Sequence, residues 1–289
     1  MQKIRYIVLA VLLLGVVGII SFIIAKAEKM VGLAIYSPRI LPDVKPEGNH
    51  EEFSLDLEGA KIKGWVLQPQ VSTDTAVIIA PGYQGTKALL LPLAEFFRDN
   101  GFFSVVFDPR GEGESGGEIY ALGAFEDEDI EAIMDYLEKS HQISQFVLFG
   151  ISCGATASII ASARNQGRVI ATIADSPFAN ILIAQGGGFF KILWVRFCNF
   201  WGKVRKGIDL CKETDALSCI GKVSHIMLIH CIEDRTLHFE NSVLLYNSAQ
   251  EPKELWLVDN LDHVQAITHC TEEYLQRVLG FVQKCLEAR

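Results

Sequence analysis

The hydrophobic positions of this chain follow three patterns, and each predicts a different kind of element. The first pattern is a continuous run, YIVLAVLLLGVVGIISFIIA at residues 6–25, which contains no charged residue. As an α-helix with a rise of about 1.5 Å per residue, this run would span roughly 30 Å, the thickness of a bilayer's hydrocarbon core. It predicts a transmembrane signal anchor within residues 1–29.

A cleaved signal peptide and a buried core helix are the alternatives for this run. Ala25-Lys26-Ala27 resembles an A-x-A cleavage site, but a signal peptide usually carries only about 7–15 apolar residues. We therefore expect an uncleaved anchor. Basic residues flank both ends of the run: Lys3, Arg5, Lys26, Lys29 and Arg39. Because positive charge lies on both sides, the positive-inside rule favours neither orientation.

The second pattern is alternation of apolar and polar residues after a connector at residues 30–52. FSLDLEG and KIKGWVLQP alternate around Gly59, which is typical of an antiparallel hairpin. The third pattern is a set of short, nearly continuous apolar runs: TAVIIA (75–80), FFSVVFD (102–108), QFVLFG (145–150), VIATIAD (169–175), HIMLIHC (225–231) and ELWLVD (254–259). Such runs are typical of parallel strands that are covered on both faces.

Segments of helical period separate these runs: TKALLLPLAEFFRDN, FEDEDIEAIMDYLEKS, ATASIIASARNQ, NSVLLYNSA and TEEYLQRVLGFVQKCLEA. Strands that alternate with helices after an opening hairpin predict an α/β three-layer sandwich. Its sheet should be antiparallel at the start and parallel afterwards. This domain is predicted to occupy residues 53–289.

One stretch, residues 178–221, interrupts the alternation of strands and helices. It is too long for an ordinary connection, so we predict an inserted helical cap. Aromatic residues are dense in it: Phe189, Phe190, Trp194, Phe197, Phe200 and Trp201. They either form the packing face of the cap, or line an apolar substrate cleft or touch the membrane interface. Phe189, Phe190 and Trp194 are the substrate-binding candidates.

Charge and cysteine content narrow the classes of function. The formal net charge is -9 and no basic stripe is present, which argues against nucleic acid as a partner. The seven cysteines contain no C-x-x-C pair and no zinc-ligand spacing, so we expect no zinc site. Scattered cysteines with apolar neighbours are typical of a reducing compartment, which favours a domain on the cytoplasmic face.

Ser152 is the candidate nucleophile. It lies in GISCG, residues 150–154, between a predicted strand and a helix of small residues. A nucleophile at such a strand–turn–helix junction needs a sharp turn, and small neighbours such as Gly150 and Gly154 permit it. The thiol of Cys153 is the alternative nucleophile. We favour the serine because the central residue of this turn presents its side chain.

A serine hydroxyl needs a histidine as base, and the histidine needs a carboxylate to orient it. Glu233 and Asp234 follow the strand HIMLIH, and His263 follows ELWLVD. In open α/β sheets, catalytic groups gather at the carboxyl ends of the strands. The sequence therefore predicts a serine, an acid and a histidine in that order, with Glu233 and Asp234 both open as the acid.

Three further residues have less favoured roles in this prediction. His269, in AITHC, is the alternative base, although we expect it to cap a helix or face solvent. Asp262 precedes the histidine, and we expect it to cap the loop. His230 lies inside an apolar strand, where a buried histidine with satisfied hydrogen bonds is the simpler interpretation.

Four motifs in this order resemble those of the α/β-hydrolase superfamily. They are PGYQG, DPRGEGESGG, GISCG and the pair of loops that carry Asp234 and His263. The likeness extends from about residue 53 to the end of the chain. Within the superfamily, the chain looks most like the membrane-tethered esterase, monoacylglycerol-lipase and serine-aminopeptidase-like branches.

This resemblance implies a role for each matching residue. Ser152 corresponds to the nucleophile, Asp234 to the acid and His263 to the general base. The backbone N–H groups of Tyr83 and Cys153 correspond to the oxyanion hole, which must be aimed at the developing charge in advance. The resemblance further implies that Asp108 and Arg110 lock loops together. Pro81-Gly82 stands where the family commonly has His-Gly, a change that removes a side chain but no backbone donor.

The expected function is a membrane-anchored serine hydrolase that cleaves carboxylic esters of apolar, lipid-like substrates and requires no metal or organic cofactor. One alternative is a serine aminopeptidase, in which Glu118, Glu126 or Glu128 would hold the α-amino group of the substrate. An acyl-thioesterase is a second alternative. A catalytically silent scaffold that binds a partner or lipid at the membrane is the alternative from another class.

Overall fold

A helix of 34 residues, α1 (Gln2–Ile35), opens the chain in the computed structural model, which describes residues 2–41 and 44–288. Lys3–Ile35 is long and apolar enough to cross a membrane by length and composition, with a mean hydropathy of 3.2 in its most apolar window. Large apolar side chains of residues 9–23 project into the surroundings, as Leu14 does with 70% of its surface exposed.

The last turns of α1 differ from the apolar run because they pack against the rest of the protein. Ala27, Val31 and Ile35 are buried. They recur every fourth residue, so they form one face of the helix. Val31 and Ile35 share a small apolar cluster with Ile208 and with Ala121 and Ala124. Part of the predicted connector, residues 30–52, is therefore helical.

The sheet has eight strands in the order β1-β2-β4-β3-β5-β6-β7-β8. The strands are β1 (His50–Leu57), β2 (Ala60–Leu67), β3 (Thr75–Ala80), β4 (Phe103–Asp108), β5 (Gln145–Ile151), β6 (Val169–Asp175), β7 (Ile226–Cys231) and β8 (Lys253–Val258). Pairing is antiparallel for β1 with β2 and for β2 with β4, and parallel for all other neighbours. The predicted α/β fold class, with its antiparallel start, is confirmed.

Helices cover both faces of the sheet. They are α2 (Leu91–Asp99), α3 (Glu126–His141), α4 (Cys153–Arg164), α5 (Phe189–Lys206), α6 (Leu210–Glu213), α7 (Glu240–Ser248), α8 (Ala266–His269) and α9 (Thr271–Glu287). Successive residues of a strand point to opposite faces. Val77 and Ile79 accordingly pack with α2 and α9, whereas Ile78 packs with α3 and α4. Because both faces are apolar, the parallel strands form the continuous apolar runs of the sequence.

The cap consists of α5, α6 and the segments beside them, between β6 and β7. The outer face of α5 exposes Phe189, Phe190, Leu193, Phe200 and Val204. Its other side packs against α1. α1 and the cap are therefore in direct contact at the side of the molecule where the parallel strands end.

Candidate active site

Ser152 lies on a sharp turn between β5 and α4. Its backbone has φ +55° and ψ -117°, a conformation that non-glycine residues adopt only where the surrounding structure enforces it. The Ser152 N–H donates a hydrogen bond to Asp175 O over 2.8 Å. A Cβ added at Gly150 would lie 2.2 Å from Gly154 O, and one at Gly154 would lie 2.4 Å from Ala80 O. The two glycines are thus required by close backbone approach.

His263 is in hydrogen-bond contact with both Ser152 and Asp234. Its Nδ1 lies 2.6 Å from Asp234 Oδ2, and its Nε2 lies 3.0 Å from Ser152 Oγ. Since an ionised carboxylate only accepts hydrogen bonds, Nδ1 carries the proton and Nε2 accepts from the serine hydroxyl. This is the arrangement that a serine nucleophile requires.

Asp234 is held as an anion at the end of β7. The backbone N–H groups of Thr236 and Leu237 each donate to Asp234 Oδ1 over 2.8 Å. Burial would raise the pKa of the Asp234 carboxyl, but hydrogen bonds from His230, His263 and Leu237 outweigh it and hold that pKa well below its usual range. The carboxylate is therefore ionised near neutral pH, and its charge can orient His263.

His230 is a contact of Asp234 that the sequence did not reveal. Its side chain is fully buried, and its Nε2 lies 3.3 Å from Asp234 Oδ2. The same Nε2 lies 2.9 Å from Leu237 O, and its Nδ1 lies 2.7 Å from Ser242 Oγ. The available signal was that His230 and Asp234 lie four residues apart, on either side of the end of β7.

The two predicted oxyanion donors lie beside Ser152. The Cys153 N–H is at the N-terminus of α4, and the Tyr83 N–H follows Gly82. A Cβ on Gly82 would lie 2.9 Å from Ser152 Cβ. Only glycine therefore allows the loop after β3 to approach Ser152 this closely. Among the described residues, neither N–H has a hydrogen-bond acceptor. Both are available to an incoming oxyanion.

The Cys153 side chain is a packed neighbour of the serine. It is only 5% exposed, and it lies in an apolar cluster with Tyr120 and Phe178. Burial raises the pKa of the Cys153 thiol to about 12. Because the thiolate is the nucleophilic form of cysteine, a thiol with this pKa is unreactive near neutral pH.

The other acidic and basic candidates have different partners. Glu233 accepts a hydrogen bond from Leu261 N through its Oε2, over 3.2 Å. Asp262 accepts from the N–H of Arg235 and from that of His263, so it fixes the loop. His269 is exposed on the short helix α8. The geometry favours Asp234 and His263 over these alternatives.

The loops around the site are connected by two ion pairs. Lys87 Nζ donates to Asp108 Oδ2 over 2.5 Å, and Lys87 N donates to Asp108 Oδ1 over 2.8 Å. Arg110 Nε donates to Asp129 Oδ2 over 3.1 Å. Asp108 thereby ties the loop after β3 to the loop after β4. This is the structural role that the resemblance implies for Asp108 and Arg110.

Ser152 and His263 open into a mostly apolar cavity of about 930 Å³. Trp194 of the cap is part of its lining. Phe189 and Phe190, the other substrate-binding candidates, lie outside the lining, and their side chains are 73% and 83% exposed. Within residues 2–41 and 44–288, no group of three or more His, Cys, Asp or Glu side chains could hold a metal ion.

Residues of α1 also line this cavity, which the sequence did not predict. They are Met30, Val31, Ala34 and Ile35. The uncharged apolar run ends at residue 25. The residues after it have a mixed composition, which is typical of a connector as well as of a helix end. The helical spacing of Ala27, Val31 and Ile35 was the signal that these residues pack against the domain.

Comparisons with known proteins agree with the fold. The family model described as serine aminopeptidase, S33, matches residues 71–201, a stretch that contains Ser152 and ends before Asp234 and His263. The uncharacterized protein YqkD of Bacillus subtilis is 26% identical over 233 residues, which cover 78% of this chain and 76% of that protein. The polyketide transferase grgF of Penicillium is 29% identical over 277 residues, covering 79% and 94%.

Solved structures show the same architecture. The esterase Pf2001 of Pyrococcus furiosus superposes with a TM-score of 0.70 at 22% identity, over 86% of this chain and 98% of that chain. The α/β hydrolase GrgF from Penicillium superposes with a TM-score of 0.66 at 19% identity, over 82% and 99%. At these identities the likeness establishes the fold.

Proposed function

We propose that this chain, which has the α/β-hydrolase fold, is a serine hydrolase that cleaves carboxylic esters of apolar, lipid-like acyl groups. The observation that carries the proposal is the hydrogen-bonded series from Ser152 through His263 to Asp234, with distances of 3.0 and 2.6 Å. At the Ser152 end of this series lies an apolar cavity, and an acyl chain would bind there.

In the proposed reaction, Ser152 Oγ attacks the ester carbonyl while His263 Nε2 accepts the hydroxyl proton. Asp234 stabilises the imidazolium that forms, and the N–H groups of Tyr83 and Cys153 bind the negatively charged carbonyl oxygen. His263 then protonates the departing alcohol. A water molecule deprotonated by His263 attacks the acyl-enzyme, releases the carboxylic acid and restores Ser152.

The aminopeptidase alternative has less support at this site. It needs a carboxylate near the serine to bind a substrate's α-amino group. Glu118 and Glu128 are exposed and absent from the cavity lining. Glu126 is buried, and the oxygens of its carboxyl group accept hydrogen bonds from the N–H groups of Gly123 and Phe125. An apolar acyl group suits the cavity better than a charged amine does.

The proposed location is a membrane, with α1 as a single-pass anchor. Most large apolar side chains of residues 9–23 in α1 are exposed. Because contact between so much apolar surface and water is unfavourable, we expect lipid to cover this part of the helix. The exposed apolar face of α5 lies on the cap, next to α1, where contact with lipid would cover it. A cytoplasmic position of the domain is favoured by the free cysteines.

Replacement of Ser152 tests the proposed chemistry. We expect Ser152→Ala to lower p-nitrophenyl ester turnover by about 10³-fold or more and to abolish covalent labelling by a fluorophosphonate. Cys153→Ala is the matched control because it keeps the backbone N–H and removes only a packed thiol. It should retain labelling and most of the turnover.

The opposite pattern would assign the chemistry to the thiol, and turnover that survives both substitutions would overturn the proposal. Substrate class is tested with the purified wild-type chain on matched acyl esters, acyl thioesters and aminoacyl-naphthylamides. The proposal requires the highest kcat/KM on esters. Preference for the naphthylamides would establish the aminopeptidase alternative, and preference for thioesters the acyl-thioesterase.

A further inference from the structure

The last two turns of α1 belong both to the anchor helix and to the wall of the cavity. Met30, Val31, Ala34 and Ile35 lie in the same lining as Ser152 and His263. They follow the apolar run of residues 6–25 on one continuous helix. The cavity that the predicted nucleophile opens into is therefore built partly from the helix that would cross the bilayer.

This part of α1 is fixed to the catalytic domain by specific contacts. Tyr120 N donates to Ile35 O over 2.8 Å at the end of the helix. About two turns earlier on the helix, Trp201 Nε1 of α5 donates to Glu28 Oε2 over 2.5 Å. A Cβ on Gly202 would lie 3.5 Å from Val31 Cγ1, so α1 and α5 approach closely. The wall has a defined position relative to the serine.

The chemistry of this wall suits an acyl chain. All four α1 residues in the lining are apolar, and α5 adds Trp194, Val195 and Cys198 to the same cavity. Ala34 is half-buried and is the smallest of the α1 residues in the lining. An acyl chain gains binding free energy with each methylene group that it buries, so the space beside Ala34 determines how much chain the cavity accepts.

We propose that the Met30–Ile35 segment of α1 is the wall of the acyl-binding site and sets the acyl-chain length that the enzyme accepts. The inference rests on the proposed ester hydrolysis and specifies its substrate as a long-chain acyl ester residing in the membrane. α1 leaves the bilayer next to this cavity, so an acyl chain reaches Ser152 from the membrane surface along the anchor itself.

The test compares Ala34→Trp with Leu33→Trp in the full-length chain, purified in detergent. Both variants place the same indole on neighbouring positions of α1, but Leu33 is 57% exposed and lies outside the cavity lining. The measurement is the ratio of kcat/KM for p-nitrophenyl laurate to that for p-nitrophenyl acetate. Ala34→Trp should lower this ratio at least about tenfold, the change expected when about two methylene groups lose their buried positions. Leu33→Trp should keep the wild-type ratio.

Each outcome separates this inference from the proposed function. If wild-type protein hydrolyses both esters and the two variants give the same ratio, the α1 wall does not select the acyl chain. If wild-type protein hydrolyses neither ester and is not labelled by a small fluorophosphonate, ester hydrolysis itself is wrong. If Ala34→Trp is not labelled by that reagent, Ala34→Leu replaces it in the comparison. Ala34→Leu should lower the ratio by a smaller factor. An unchanged ratio for Ala34→Leu would contradict the inference.

Discussion

At the scale of single residues, His230 lies behind the predicted triad acid and restrains its carboxylate. Leu237 O only accepts hydrogen bonds, so His230 Nε2 carries a proton and donates it, with Asp234 Oδ2 3.3 Å away as a second acceptor. Ser242 Oγ, 2.7 Å from Nδ1, fixes the other side of the ring. Asp234 thus receives directed contacts from both His263 and His230.

We expect His230→Leu to lower kcat for ester hydrolysis by about 10- to 100-fold, the cost of one lost hydrogen bond to a charged group. KM should change little because His230 does not line the cavity. His230→Gln places an amide N–H near the position of Nε2 and should restore most of kcat. Steady-state kinetics of the three proteins on p-nitrophenyl acetate make the comparison. Equal kcat in all three would show that His230 only fills the core.

At the scale of elements, the start of α3 concentrates acidic side chains in the protein interior. Glu126, Asp127 and Asp129 are buried in the first turn of the helix, and Arg110 and Arg164 pair with the two aspartates. A helix N-terminus favours negative charge, but burial opposes it. Burial, with a smaller contribution from Asp129, raises the pKa of Glu126 to about 8.

This pKa predicts that the protein loses stability as the pH rises. Between the ordinary Glu value near 4.5 and the folded value of about 8, the native state binds more protons at Glu126 than the unfolded state does. The free energy of unfolding therefore falls with rising pH, by at most about 1.4 kcal/mol per pH unit for one group.

Glu126→Gln removes this ionisation and should flatten the dependence of Tm on pH between pH 5 and 8. Glu128→Gln is the matched control, because Glu128 is exposed in the same turn. Thermal denaturation of the full chain in detergent at several pH values gives the slopes. A slope for Glu126→Gln that equals those of wild type and Glu128→Gln would contradict a buried, protonated Glu126.

At the scale of the whole molecule, α1 combines two environments in one helix. The apolar run of residues 6–25 has exposed side chains at residues 9–23, whereas Ala27, Val31 and Ile35 pack against the domain. The boundary lies near Lys26, where the sequence changes from uncharged to mixed. The exposed apolar segment and the cavity wall are therefore separable by truncation.

Deletion of residues 2–25 should release the protein from membranes to alkaline carbonate without detergent, while wild-type protein stays in the membrane fraction. Turnover of p-nitrophenyl acetate should persist, since the packed end of α1 remains. Retention of the truncated chain under these conditions would show that another surface holds it. N-terminal sequencing of membrane-bound wild-type protein that begins after Ala27 would instead establish a cleaved signal peptide.

Local patterns were sufficient to predict most of the architecture. Continuous apolar runs identified β3 and β6 with their ends, because strands covered on both faces need apolar residues at every position. The glycines around Ser152 marked the sharp turn, because only residues without a Cβ permit the close backbone approach found there. Each of these features depends on residues that are near one another in the chain.

Other features depended on residues that are distant in the chain. Spacing alone left Glu233 open beside Asp234, and only the folded loop brings Asp234 to 2.6 Å from His263 Nδ1. The sequence placed Phe189 and Phe190 among the substrate-binding candidates, whereas the packing of α5 against α1 leaves both exposed.

The sequence by itself determined the order of strands and helices, the long apolar helix and the residues able to act as nucleophile, acid and base. The tertiary structure alone decided which side chains surround Ser152, including the contribution of Ala34 and its neighbours from the start of the chain. The physical reason is that periodicity reports which face of a helix is buried. What that face is buried against depends on long-range packing.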